Sequence, residues 1–425
     1  MISTKKSIYF IFLITVASTT LYVVFKNLPP LIGSFRFFWA PITLIIILFI
    51  KPQVLFTKPF IWIIFYGILM IGILQPTLWQ YMTESTKPGI YEEFYNLSIF
   101  TAIFSYLYFN RDYATWARLS KMGFFFILIT IVGTNIALTI DPLLVRNSAS
   151  TLTSFQNNLA RYTGSGGYGY AQAFVLLIPI LFYHIKYRNQ LIFKRGILII
   201  IMISIFITLV RAQVFANILV AIAMSLFSIF GAKRAKQSFV IITLITIILI
   251  SIPSSIYANL LSSAGSYFES SSTIHQKLID FAHFIRNPEF TDDTQAGSRA
   301  ERYPMLFKAF LASPIFGNAS YDSPFYTTPG FHLYWMNRLT QWGIVGFLFF
   351  IYMLFQIYKR IRSIFDDSFR FYYFLAVSGF IMLGLMKNIA GREPFLMLII
   401  VIPGFYFLPT SKTKYPKKVN KLVQL

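Results

Sequence analysis

The chain has 425 residues, of which 56% are hydrophobic, 19% aromatic and 12% charged. Soluble domains carry about 25% charged residues, so this balance excludes a water-soluble enzyme, a disordered tail and a small secreted module. Apolar runs of about 20 residues, the length that crosses the hydrocarbon core as a helix, recur along the whole chain. The sequence therefore predicts an all-α, polytopic membrane protein.

The apolar pattern predicts about twelve transmembrane helices, which belong to a single integral membrane domain over residues 1–425. In chain order the predicted spans are 7–25, 30–50, 59–78, 94–109, 122–140, 168–185, 196–210, 213–230, 238–258, 333–357, 371–387 and 394–409. The run from Gly196 to Phe230 holds a single charge, Arg211, and is too long for one crossing. It is predicted to be a hairpin of two spans with Arg211 at the turn.

The formal net charge is +22, from 37 Lys and Arg against 15 Asp and Glu. When the predicted loops are assigned alternately to the two faces, most of these cations fall on the face that also holds both termini. Because cytoplasmic loops collect Lys and Arg, this distribution predicts cytoplasmic termini and accounts for the charge without nucleic acid. The chain has no cysteine, so disulfides and thiol chemistry are excluded.

Two predicted outward segments are long, one near residues 141–167 and a larger one at 258–331. Loops of this length are usually functional or disordered. The larger loop is predicted to be partly helical, because Leu278, Phe281, Ala282 and Ile285 recur at helical spacing. That helix is expected to lie on the outer membrane surface or on the bundle. The glycine-rich run that starts at Gly164 is a weak nucleotide motif and is predicted to be a flexible loop.

Several cations remain on the outward side. They are Arg36, Arg161, Arg211, Arg299, Arg302, Arg338, Lys387 and Arg392. Charged groups near the apolar slab are costly and tend to face a cavity or a partner, and Arg suits bidentate recognition of phosphate. The pattern indicates a site for an anionic headgroup. The alternatives are snorkelling at the lipid interface, or pairing with Glu92, Glu93, Glu301 or Glu393.

Three passages carry further information: "TLVRAQVFANILVAIAM", "AGSRAERYPMLFKAFLASPIFGNAS" and "FHLYWMNRLTQWGIVGFLFFIYMLF". In this order and spacing they resemble the O-antigen polymerase and O-antigen ligase superfamily of bacterial envelope polysaccharide assembly. The resemblance covers roughly residues 155–350. The family's landmarks fall on Arg211, on Gly297, Ser298, Arg299, Tyr303, Pro314 and Gly317, and on His332, Gly343 and Gly346.

Two of these positions also have a direct physical interpretation. Ser298 and Glu301 have capping-box spacing, which would begin a helix with Arg299 in its phosphate-binding first turn. The alternative is an ordinary surface helix with Arg299 and Arg302 solvated. His332 stands where the chain re-enters the membrane, and a neutral imidazole there can accept a proton from a sugar hydroxyl. The alternative is an interfacial His bonded to backbone.

The resemblance implies a membrane glycosyltransferase that polymerises undecaprenyl-pyrophosphate-linked repeat units into O-antigen or a related surface polysaccharide. It implies His332 as general base, and Arg211 and Arg299 as groups that neutralise the leaving pyrophosphate. Arg302, Arg161, Tyr303 and Arg338 are predicted to bind substrate. No metal or cofactor is implied, since arginines can take the electrostatic task of a metal ion.

The resemblance also places the protein in the bacterial inner membrane with its active site towards the periplasm. The implied partners are lipid-linked glycan donor and acceptor, membrane lipid and a chain-length regulator protein, but no nucleic acid. Three alternatives remain: an O-antigen ligase that transfers the glycan to lipid A core, a flippase or transporter for the same lipid-linked sugar, and a non-catalytic scaffold of an assembly complex.

Overall fold

The computed structural model describes twelve ranges of the chain. They are residues 4–21, 25, 28–33, 38–73, 89–148, 152–187, 194–231, 251–268, 273–286, 302–317, 333–389 and 391–408. Within these ranges the regular structure is helical and no strand occurs.

Eighteen α-helices are labelled here in chain order. They are α1 (Thr4–Thr20), α2 (Pro30–Gly33), α3 (Ala40–Ile50), α4 (Lys58–Ile73), α5 (Gly89–Phe109), α6 (Tyr113–Ile140), α7 (Leu144–Asn147), α8 (Ser154–Thr163), α9 (Tyr168–Tyr187), α10 (Arg195–Arg211), α11 (Phe215–Phe230), α12 (Ser254–Ser266), α13 (Thr273–Arg286), α14 (Arg302–Ala312), α15 (Tyr334–Arg362), α16 (Asp367–Met386), α17 (Arg392–Leu396) and α18 (Ile402–Phe405). A 3₁₀ turn covers Pro52–Phe56, and a π-helical segment covers Met397–Val401.

Four stretches are long and apolar enough to cross a membrane: Tyr113–Ile140, Ser154–Tyr187, Tyr334–Arg362 and Asp367–Met386. Shorter apolar helices include Ala40–Ile50 and Phe215–Phe230. The chain therefore has the helices of a membrane protein. The count of twelve spans stays a prediction, and most of the predicted span 238–258 lies outside the described residues.

The predicted turn at Arg211 between two helices is confirmed, and their assignment as two membrane spans stays a prediction. Helix α10 ends at Arg211 and α11 begins at Phe215, so the connection has only three residues. Within it Gln213 adopts a left-handed backbone with φ 55°. A positive φ is uncommon for a residue with a side chain, which marks this turn as a strained point of the backbone.

The chain divides into two compact units. Unit 1 comprises residues 1–232, 349–383 and 389–425, and unit 2 comprises residues 233–348 and 384–388. In unit 1, α9 is a central helix that packs against α10, α11 and α17. Its residues from Tyr170 to Leu181 are all buried, which fits an apolar helix surrounded by other helices. Helix α6 packs against α1, α8 and α10.

The segment 141–167 differs from the predicted loop because it contains two helices, α7 and α8. Helix α8 begins with a capping box between Thr153 and Gln156, and it ends at Gly164 in a left-handed conformation with φ 77°. The backbone N–H of Gly166 donates to Thr134 Oγ1 at 2.9 Å. The glycine-rich run, predicted to be a flexible loop, is therefore fixed against α6.

In unit 2, α12 and α13 pack against each other as a helical pair. The helix predicted from the stripe between Leu278 and Ile285 is confirmed as α13, but its apolar stripe is only partly covered. Ala282 is buried and Leu278 packs near Gly265, whereas Phe281 is exposed. His275 is half-buried, and its Nδ1 lies 3.0 Å from the Gly265 carbonyl oxygen.

Candidate functional site

The structure describes five of the seven predicted site residues. Arg161 and Arg211 belong to unit 1, and Arg302, Tyr303 and Arg338 belong to unit 2. Arg299 and His332 lie outside the described residues, as does the predicted capping box from Ser298 to Glu301. The predicted meeting of Arg211, Arg299 and His332 therefore stays a prediction.

In unit 1 three chain segments converge on three successive residues of α6. At Gly133 the Thr163 carbonyl at the end of α8 comes so close that a Cβ atom would lie 2.0 Å from its oxygen. At Thr134 the hydroxyl accepts the Gly166 N–H bond. At Asn135 the side chain reaches α10. Only glycine permits the first contact, because a side chain at position 133 would clash with the Thr163 carbonyl.

Asn135 holds Arg211 in place. Its Oδ1 accepts a hydrogen bond from Arg211 Nη1 at 3.4 Å. Its Nδ2 donates to Thr208 Oγ1 at 2.6 Å and to the Ile131 carbonyl at 3.0 Å. Since both amide protons have acceptors, the carboxamide can present only its oxygen to the guanidinium. Arg211 is therefore a half-buried cation with a fixed orienting partner.

Among the residues that the structure describes, no acid neutralises the charge of Arg211. No carboxylate in the described ranges forms an ion pair with it, and its hydrogen-bond acceptor, Asn135, is neutral. Cations at a helix C-terminus are favoured by the dipole, which suits Arg211 as the last residue of α10. The arrangement leaves a positive group that can still bind an anion.

Arg161 occupies the last turn of α8 and is half-buried. The end of this helix rests on Gly133, two residues before the Asn135 that holds Arg211. The helix ends that carry Arg161 and Arg211 thus lie at the same level of α6 but contact different faces of it, because residues two apart on a helix do not share a face. Both were predicted as site residues from sequence.

In unit 2 Arg338 is enclosed within its own helix. The residue is 5% exposed, and its Cζ lies 5.1 Å from the Tyr334 ring centre and 5.0 Å from the Trp342 ring centre. Its Nη1 donates to Gln341 Oε1 at 2.9 Å. The aromatic faces stabilise the buried cation. The role of Arg338 in substrate binding stays a prediction. Its contacts with Tyr334, Gln341 and Trp342 stabilise α15.

The turn that contains Pro314 and Gly317 contacts a break in α15 at Gly343. Gly343 has φ 61° and ψ −171°, so the helix is interrupted there. The N–H groups of Ile344 and Val345 donate to the carbonyls of Pro314 and Ile315, at 2.8 and 3.1 Å. A Cβ at Gly343 would lie 2.4 Å from the Ile315 oxygen. The turn at 313–317 therefore supplies acceptors that the broken helix lacks.

Tyr303 and Arg302 begin α14. The Tyr303 hydroxyl donates to the Leu385 carbonyl, and burial raises the pKa of the Tyr303 phenol. The phenol thus stays neutral and remains a donor. A second hydrogen bond joins α14 to α15, because Thr340 Oγ1 donates to the Leu306 carbonyl at 3.1 Å.

Sequence reasoning missed Asn135 and Thr208. A signal was present, because an Asn within the apolar run of α6 is a costly group that needs partners. Among the described residues, no group of three or more His, Cys, Asp or Glu side chains is arranged to hold a metal ion.

Comparison with known proteins does not assign this chain to a family. No protein-family model matches this chain, and no curated protein matches it.

Replacing Arg338 with Met tests how much the enclosed cation stabilises the protein. Loss of the contacts with Tyr334 and Trp342 is expected to lower the free energy of unfolding by about 2 kcal/mol. Thermal unfolding of the purified protein measures the effect. Lys308→Met, at an exposed position of α14, is the control and is expected to change little. Equal effects of the two variants would contradict a supporting role of Arg338.

Proposed function

We propose that the protein is a membrane glycosyltransferase that polymerises undecaprenyl-pyrophosphate-linked repeat units into O-antigen or a related surface polysaccharide. The observation that carries the proposal is Arg211, a half-buried cation without an acidic partner in the described ranges, held by Asn135 at the turn of an apolar hairpin. It coincides with a landmark of the family that the sequence resembles. The contact between Gly317 and Gly343, two further landmarks, gives additional support.

The proposed reaction is a displacement at the anomeric carbon of the donor glycan. A hydroxyl oxygen of the acceptor forms the new bond, and the bond from that carbon to the pyrophosphate oxygen breaks. The hydroxyl proton passes to His332, and undecaprenyl pyrophosphate leaves. Arg211, Arg299 and Arg302 bind the departing diphosphate, where fixed positive groups lower the barrier most. The roles of His332 and Arg299 rest on the resemblance.

The proposal places the protein in the bacterial inner membrane, with cytoplasmic termini and the site towards the periplasm. Donor and acceptor glycans reach it through the membrane on their lipid carriers, and a chain-length regulator is the proposed protein partner. Arg161, Tyr303 and Arg338 are assigned to substrate binding on the same basis.

A ligase that uses lipid A core as acceptor has the same chemistry. The deciding experiment offers purified protein one lipid-linked donor together with either a second lipid-linked unit or a lipid A core. Polymerisation predicts products that grow by whole repeat units with the first acceptor alone. Transfer to the lipid A core alone would replace the proposed function with that of a ligase.

A transporter is a second candidate because α15 is broken at Gly343, and broken helices line the sites of many transporters. In vesicles, a transporter moves the lipid-linked sugar across the bilayer without forming a new glycosidic bond. The proposed enzyme forms the bond without moving its substrate across the bilayer.

Asn135→Leu tests the proposed orientation of Arg211. The variant removes the Oδ1 acceptor, and we expect KM for the donor to rise about 10-fold because one charge-assisted hydrogen bond is lost. Steady-state transfer kinetics measure the change. Asn135→Asp keeps an oxygen towards Arg211 but neutralises its charge, so it is expected to be at least as impaired.

The matched control is Asn96→Leu, the same change at a buried position of α5 that no contact in the described ranges links to Arg211. It is expected to leave KM unchanged. If Asn135→Leu lowers only the amount of folded protein and not the kinetics per folded molecule, Asn135 has no part in the site.

A further inference from the structure

At one end of unit 1, three chain segments that carry cations come together. Helix α3 is followed by Lys51, helix α5 is followed two residues later by Arg111, and the last turn of α15 contains Lys359, Arg360 and Arg362. Lys359, Arg360, Arg362 and Arg111 are exposed, and Lys51 is half-buried. We call this group the basic cluster.

Two cations of the basic cluster lie on the last two residues of α5. The Arg360 Cζ is 4.5 Å from the Tyr108 ring centre, and the Lys51 Nζ is 4.9 Å from the Phe109 ring centre. These contacts join α3, α5 and α15 at one place. Lys51 and Arg360 are therefore both held at the end of α5, although they come from distant parts of the sequence.

Within the described ranges, no carboxylate is paired with the basic cluster. In the described ranges none of its cations forms an ion pair, and the adjacent Asp112 caps α6 through bonds to Thr115 N and Oγ1, at 3.2 and 2.8 Å. Arg111 has a left-handed backbone with φ 51°, which is a strained conformation for a residue with a side chain. Its positive charge adds to those of the other cations in the basic cluster. Like charges held close together favour binding of an anion.

Large apolar side chains are exposed beside these charges. Phe49 is 85% exposed, Phe56 is 75% exposed and Phe109 is 48% exposed. Phe49 precedes Lys51 by two residues and Phe56 follows it by five, whereas the Phe109 ring lies beneath the Lys51 ammonium group. A helix dipole explains individual cations at helix ends but not the exposed aromatic rings. Cations next to exposed aromatic rings match the boundary between lipid headgroups and acyl chains.

We propose that the basic cluster binds the phosphate of an anionic phospholipid headgroup, with the acyl chains against Phe49, Phe56 and Phe109. The site is separate from Arg211. Asp112 and Asn135 lie at opposite ends of α6, about 35 Å apart at 1.5 Å per residue. The proposal does not depend on the proposed glycosyltransferase activity.

The test reconstitutes the full chain in nanodiscs of phosphatidylcholine alone, or with added phosphatidylglycerol or cardiolipin. Thermal unfolding and native mass spectrometry report stabilisation and retained lipid. The wild type is expected to unfold at a higher temperature with either anionic lipid. The triple variant K51Q/R111Q/R360Q is expected to bind cardiolipin about 100-fold more weakly, since each cation near a membrane surface contributes about fivefold.

The matched control is K194Q/R195Q, which removes cations from the start of α10, where no aromatic contact is described. It is expected to keep the lipid effect. Equal loss in both variants, or equal wild-type stability in all lipids, would overturn the proposal. So would a shift of the same size with soluble glycerol phosphate, which has no acyl chain.

A second variant addresses the case in which the triple variant does not fold. Arg111→Gly relieves the left-handed backbone while it removes one charge, so it is expected to fold at least as well as the wild type. It is nevertheless expected to bind cardiolipin about fivefold more weakly. Unchanged binding would count against the basic cluster.

Discussion

Arg211→Ala is expected to lower the rate of glycan transfer by about 1000-fold, the size of effect seen when a group that stabilises developing negative charge is lost. The variant removes the cation held by Asn135 and leaves a neutral, half-buried turn. Because Arg211 is proposed to stabilise the negative charge that develops on the leaving group in the transition state, kcat is expected to fall by a larger factor than KM rises. Single-turnover transfer with purified protein measures this loss.

Arg195→Ala is the control for Arg211, since these residues are the first and last of the same helix. It removes an equal charge at an exposed position and is expected to leave transfer unchanged. Arg211→Lys should recover only part of the activity, because an ammonium cannot form the bidentate contact of a guanidinium. Wild-type transfer by Arg211→Ala would remove this residue from the mechanism.

Gly343→Ala is expected to destabilise unit 2 by more than about 3 kcal/mol. This figure is the sum of the cost of backbone strain and the cost of losing two hydrogen bonds. Its φ of 61° disfavours any side chain, and a Cβ would press on the Ile315 carbonyl. The N–H groups of Ile344 and Val345 would then lose their acceptors at Pro314 and Ile315. Thermal unfolding and the yield of folded protein measure the effect.

The control for Gly343 is Gly196→Ala, the same change where a Cβ meets no atom within 4 Å. It lies in a helix, so alanine is expected to be neutral or slightly stabilising. If Gly343→Ala proves as stable as Gly196→Ala, the contact between the 313–317 turn and α15 does not hold unit 2 together.

Much of the helical pattern could be predicted from sequence. The single charge in residues 196–230 located the turn at Arg211, and apolar spacing located the helix over 273–286. These features depend on residues close in the chain. By contrast, α8 was missed because its mean hydropathy is low and its capping box between Thr153 and Gln156 was not recognised.

The contacts of the candidate site were harder to predict because they join distant segments. Nothing local indicates that Asn135 meets Arg211, 76 residues away. Arg338 is different. Tyr334 and Trp342 precede and follow it by four residues, the spacing at which side chains meet on one helix face. The sequence thus contained enough information to predict that this arginine is enclosed.

The most direct test of the proposed function is the release of undecaprenyl pyrophosphate during the reaction. Purified protein receives a lipid-linked repeat unit, and free undecaprenyl pyrophosphate and glycan length are measured together. Polymerisation predicts one released carrier for each new glycosidic bond, with both signals abolished in Arg211→Ala and His332→Ala. Folded, membrane-reconstituted protein that releases no carrier, or that releases it without lengthening the glycan, would contradict the proposed function.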